Sequence, residues 1–172
     1  GAAATIGSSD VQNITTSGSA RTVELAGLES ANITTSGNAS TIILTDTSAA
    51  DVLASITVSG GSALTLTGTG STAVSTVNAG SMTAALTLDV SASTAATMTV
   101  TGGTGDDSFN IGTITSADTV VGGDGTDTLI TAAAVSAANA AGVSEIEAVS
   151  IVNAAAGGAI TQAAGAFSVS TY

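Results

Sequence analysis

The sequence has no cysteine, no proline, no histidine, no lysine and no tryptophan. Without cysteine there are no disulfides and no thiolate metal sites. With Arg21 the single cation against 13 acids, the formal charge is −12, so phosphate contacts to nucleic acid are excluded as a working principle. The same imbalance disfavours anionic membrane surfaces. Without histidine, general acid–base chemistry loses its commonest group. No run approaches the roughly 20 apolar residues that span a bilayer, and membrane insertion is not expected. No basic segment opens the chain, so no signal peptide is expected. The start, GAAATIGSSD, lacks Met and reads as a piece cut from something longer.

Large aromatics are nearly missing too: two Phe and one Tyr in 172 residues. What remains is Ala, Val, Ile, Leu, Thr, Ser and 21 Gly. Such side chains fill a thin core rather than a thick one. The length fits one domain.

A repeat organises the chain. NITTSG occurs at Asn13–Gly18 and at Asn32–Gly37. Looser copies start at Ser55, Ser75, Met98 and Asp118, placing a glycine at 18, 37, 60, 80, 102 and 122. Each glycine is followed by a second strand-like run, beginning near Thr22, Ser40, Ala63, Ala85, Ser108 and Asp127. Leu64, Leu66 and Leu86, Leu88 alternate with Thr at the period of a strand. Strand, glycine turn, strand, connector, every 20 residues or so, predicts an all-β parallel solenoid of about six coils. At about 4.8 Å per coil that is a rod of roughly 30 Å. A β-sandwich is the alternative. The solenoid is expected over 1–130. Residues 131–172 are expected to form a cap or begin a further module, with an Ala-rich helix at Ala132–Ala141 ending near Gly142, a strand within Glu145–Val152 and another in AFSVSTY.

Within the repeat, GGTGDDSFN (Gly102–Asn110) and GGDGTDTLI (Gly122–Ile130) share one frame, G-G-x-G-x-D-x-apolar-x, 20 residues apart. Consecutive glycines permit φ > 0 and tight turns. A carboxylate two residues after the third glycine closes an oxygen cage of the kind Ca2+ prefers. The apolar residue two further on, Phe109 or Leu129, is expected to point into the core. If Asp107 and Asp127 stack about 4.8 Å apart, they repel by on the order of 3 kcal/mol at an effective dielectric near 20. A dication between them reverses the sign. Five acids, Asp106, Asp107, Asp118, Asp124 and Asp127, fall within 22 residues. The simpler reading is that the glycines merely corner a solenoid.

The frame resembles the RTX (repeats-in-toxin) nonapeptide, whose copies bind Ca2+ in parallel β-rolls. Both copies match at every fixed position. The resemblance implies Ca2+ held by Asp107 and Asp127 with carbonyls of the glycine turns, so that Gly103, Gly105, Asp106, Asp107, Gly123, Asp124, Gly125 and Asp127 form the candidate metal site. In RTX rolls the nonapeptides run in tandem; here a whole coil separates them, which excludes a standard β-roll and leaves two stacked loops sharing an ion. Beyond the motif, the Thr/Ser/Ala/Gly-rich chain resembles bacterial surface-layer (S-layer) proteins and large RTX-type adhesins. That implies a secreted, non-enzymatic structural segment at the bacterial cell surface, stiffened by Ca2+. The implied partners are copies of itself in a lattice or filament, and cell-surface polysaccharide. An adhesin is the alternative, with an ice-binding face built on Thr65, Thr67, Thr69, Thr99 and Thr101 further behind. The triplets at Asn13, Asn32 and Asn38 match a glycosylation pattern. Asn13 and Asn32 are instead expected to stack as an amide ladder.

Overall fold

The computed structural model describes residues 10–46, 52–70 and 73–152. Among these residues fourteen strands wind into a parallel β-solenoid with two strands per coil. The odd strands form one seven-stranded sheet: β1 (Val11–Thr16), β3 (Ser30–Thr35), β5 (Ser55–Gly60), β7 (Thr76–Met82), β9 (Thr99–Thr101), β11 (Thr119–Val121) and β13 (Val143–Ser144). The even strands form the second: β2 (Ala20–Glu24), β4 (Ser40–Thr45), β6 (Leu64–Thr69), β8 (Leu86–Asp89), β10 (Ser108–Gly112), β12 (Thr128–Thr131) and β14 (Ala148–Ile151). The twelve strands expected from the repeat are all present, and β13 and β14 add a further layer. A sandwich of antiparallel strands is ruled out, since every pairing is parallel.

Alternation sets the core. Ala31, Ile56, Val77, Val100 and Val120 stack in register on the inner face of the first sheet. Ile42, Leu66, Leu88, Phe109 and Leu129 do so on the second. All ten are buried. Thus Phe109 and Leu129, the apolar members of the two nonapeptides, do anchor their turns to the core. Two facing sheets sit about 10 Å apart, and aliphatic side chains fill that gap without the aromatic bulk the sequence lacks.

Val11, Ser30, Ser55, Thr76, Thr99 and Thr119 share one outer column, so successive coils span 19, 25, 21, 23 and 20 residues. The uneven lengths are absorbed mainly in the connectors from the second sheet back to the first. Within the sheets the register slips at β5–β7 and β10–β12. On the outer face of the first sheet, Asn32 Nδ2 donates to Asn13 Oδ1 at 3.0 Å, forming the expected amide ladder.

Two expectations change. The Ala-rich segment is not a helix over Ala132–Ala141; it contains one 3-10 turn at Asn139–Gly142. Val135 and Ala140 are drawn into the core, and tertiary burial overrides the helix preference of alanine. The pairing also runs past residue 130, because β13 and β14 extend both sheets. The strand expected in AFSVSTY lies outside the described residues. As for a threonine face, Thr41, Thr65 and Thr87 do stack, but Thr67 is flanked by Ile43 and Asp89. Thr99 and Thr101 lie on the other sheet, so the named threonines do not form one flat array.

Among the described residues Phe109 is the largest fully buried side chain. Replacing it (Phe109→Ala) is expected to lower the unfolding free energy by about 3–5 kcal/mol, measured as a shift of the urea midpoint at unchanged slope.

Candidate functional site

Along one edge of the solenoid each odd strand turns into the next even strand. The sheet ladders break at this edge, so amides there need other acceptors. In the first coils hydroxyls serve. Ser40 Oγ accepts from Thr16 Oγ1 at 2.6 Å and from the Gly18 amide at 3.0 Å. The Ser62 amide donates to Thr35 Oγ1 at 3.3 Å, and the Ser62 hydroxyl donates to the Gly37 carbonyl at 2.9 Å.

Carboxylates take over in the later coils. The Leu86 amide donates to Asp107 Oδ1, the Asp107 amide to Asp127 Oδ1 and the Asp127 amide to Glu147 Oε2, each at 2.7 Å. Residues 107, 127 and 147 follow at intervals of 20, and each side chain reaches back to an amide of the preceding coil. Glu147 was not among the expected site residues, because it lies outside the glycine motif. The interval of 20 was the signal that could have found it.

The two nonapeptide turns stack directly. The Asp124 amide donates to the Gly103 carbonyl at 3.1 Å, and the Thr126 amide donates to Asp106 Oδ1 at 2.9 Å. A Cβ on Gly125 would stand 2.6 Å from the Gly105 carbonyl oxygen. Gly103, Gly105, Asp106, Asp107, Gly123, Asp124, Gly125 and Asp127 are therefore brought together. Their acids occupy two environments: Asp107 and Asp127 are 2% and 0% exposed, whereas Asp106 and Asp124 face solvent. Asp118 belongs elsewhere. It lies at the opposite edge, where Oδ1 accepts the Met98 amide and Oδ2 the Thr115 amide, both at 2.7 Å.

The leading glycine of each motif is required by close approach rather than by φ. A Cβ on Gly122 would collide with the Glu145 carbonyl and lie 2.5 Å from Asp127 Oδ2. Gly102 stands in the same relation to the Gly122 carbonyl and to Asp107 Oδ2, at 2.7 Å from the latter. Positive φ occurs only in the second copy, at Gly123 (106°) and Gly125 (131°). That difference has a chemical result. In the first copy the Gly103 amide donates to Asp107 Oδ2 at 2.8 Å, so both Asp107 oxygens are held. In the second copy no such bond is made, and Asp127 Oδ2 is buried without a partner.

Burial is the main cause that raises both acids. Asp107 is pushed up by desolvation, against the bonds from Gly103 and Leu86, with Asp106 adding repulsion. Asp127 is pushed up to about 6 by desolvation, opposed by the Asp107 amide and reinforced by the charges of Asp107, Glu147 and Asp106.

These donors suit a hard cation. They are all oxygens, one is an orphaned carboxylate oxygen, and a carbonyl converges on the same spot. Among the described residues no group of three or more His, Cys, Asp or Glu side chains gathers for a metal, so main-chain carbonyls would complete the shell. No family model, curated protein or solved structure matches this chain. The fold and this edge define it as a parallel β-solenoid with an acidic corner.

Two outcomes are expected here. Gly122→Ala should lower stability by at least about 2 kcal/mol, read from urea unfolding, since the obstructing atom is backbone. For the pH dependence, the folded pKa of Asp127 lies above its unfolded value. Its contribution is therefore fully present below about pH 4 and is lost as pH rises through about 6. With chelator present, the melting temperature should fall between pH 5 and pH 7. The loss should be on the order of 1–3 kcal/mol, and Asp127→Asn should remove most of it.

Proposed function

We propose that this chain is a non-catalytic structural segment of a bacterial surface layer, held outside the cell, whose acidic corner takes Ca2+ and thereby stiffens the rod. One observation carries the reading. Two RTX-like turns lie on adjacent coils, and a buried carboxylate oxygen of the second, Asp127 Oδ2, has no partner in the protein. An acid buried in that way is destabilised at neutral pH.

The chain's own residues supply the rest of the argument. Asp107 and Asp127 hold adjacent coils together through amides, so anything that strengthens their negative form strengthens the stack. Asp106 and Asp124, exposed beside them, keep the local potential negative and favour cation approach. A bound dication would neutralise the stacked carboxylates and link the coils around it. Lysine and histidine are missing, and aromatic platforms are scarce, which speaks against catalysis on a solenoid groove. Self-assembly of copies through unpaired strand edges is part of the proposal, with cell-surface polysaccharide as a further partner.

Chelator-stripped protein should melt at a higher temperature when millimolar Ca2+ is restored. At a concentration 100 times Kd the gain is about 2.7 kcal/mol. Light scattering should show assembly that requires Ca2+ and reverses with EGTA. Identical melting and assembly in Ca2+ and in excess EGTA would sink the reading.

A further inference from the structure

The two nonapeptide turns differ in what they leave unsatisfied, and the difference singles out Asp127. In the first turn, Asp107 accepts the Leu86 amide at 2.7 Å and the Gly103 amide at 2.8 Å. Neither oxygen lacks a donor. In the second turn, Asp127 Oδ1 accepts the Asp107 amide, but Oδ2 is fully buried and accepts nothing. The demand for a positive species is therefore at Asp127.

One group beside Asp127 Oδ2 belongs to the following coil. The space that a Cβ on Gly122 would fill is shared by Asp127 Oδ2 and the Glu145 carbonyl oxygen. Glu145 has φ 55°, the one positive φ outside glycine among the described residues. That conformation costs a residue with a Cβ roughly 1–2 kcal/mol. Two residues on, Glu147 places Oε2 on the Asp127 amide at 2.7 Å. The Asp127 and Glu147 carboxylates thus lie on successive layer boundaries, the Glu145 carbonyl stands beside Asp127 Oδ2, and that oxygen is buried without a donor. Leaving it so is expensive for an ionised group.

We propose that the principal Ca2+ seat lies one coil beyond the motif pair, between the second glycine turn and the Glu145–Glu147 segment, with Asp127 Oδ2, the Glu145 carbonyl and the Glu147 carboxylate as protein ligands. This assignment rests on the calcium reading above and names the layer at which it operates. It makes Glu147 a metal residue, although Glu147 stands outside the G-G-x-G-x-D frame. It also gives Asp107 a different role, that of an amide acceptor joining two coils.

The test is calorimetric titration of CaCl2 into chelator-stripped protein, with folding checked by far-UV circular dichroism. Glu147→Gln keeps an oxygen for the Asp127 amide and removes the charge; Asp107→Asn removes the charge one layer earlier but keeps a single acceptor for the Leu86 and Gly103 amides. Glu147→Gln is expected to weaken binding by at least about tenfold, and Asp107→Asn by much less. Binding lost with Asp107→Asn but retained with Glu147→Gln places the seat between the two nonapeptides. That overturns this assignment and leaves the calcium reading intact. Equal losses in both variants overturn it as well. If Asp107→Asn does not fold, wild-type affinity in Glu147→Gln is enough to reject it. No Ca2+ binding by the wild-type chain removes both proposals together.

Discussion

Stacking is the constraint on which this molecule depends. Each coil lies about 4.8 Å above the last, so every side chain faces its counterpart in the next layer. For apolar residues the consequence is favourable: the column Ile42, Leu66, Leu88, Phe109, Leu129 is continuous and buried. For acids it is unfavourable, because carboxylates at an interval of 20 residues fall into one row. The structure resolves most of that conflict with main-chain amides. Asp107, Asp127 and Glu147 each take an N–H from the preceding coil. The resolution is incomplete at one atom, Asp127 Oδ2, and the chemistry of the edge follows from it.

The same edge is fastened in two ways along the rod. Thr16, Ser40, Thr35 and Ser62 join the early coils with hydroxyls. These bonds are indifferent to pH over the range in which carboxylates titrate. The later coils are joined by carboxylates, whose strength depends on ionisation and on nearby cations. At this edge the early coils are thus joined by groups that do not titrate, while the later ones respond to their surroundings. The opposite edge adds a further carboxylate clasp, with Asp118 holding the Met98 amide and its own turn at Thr115.

Much of this could be read from residue order. The glycine positions 18, 37, 60, 80, 102 and 122 located the turning edge, and the runs after them located the second sheet, because a regular coil must turn at regular intervals. The G-G-x-G-x-D frames located the acidic corner for the same reason. Other features were not legible. Ala132–Ala141 has helical composition, yet the layer below draws Val135 and Ala140 inward. The glycines of the first motif suggested φ > 0, whereas Gly102 is needed because another coil's carbonyl lies against it. Glu147 carries no glycine motif, so only its height along the axis reveals that it joins Asp107 and Asp127.

The sequence by itself determined the period, the strand alternation and which residue types recur at each corner, since these are properties of neighbours along the chain. Tertiary structure alone decided which oxygen of which carboxylate meets an amide. That depends on contacts between residues about 20 apart and on whether one glycine, 103 or 123, turns its N–H toward the acid. A difference of that kind leaves no mark in the spacing of the letters, yet it separates a satisfied Asp107 from an unsatisfied Asp127.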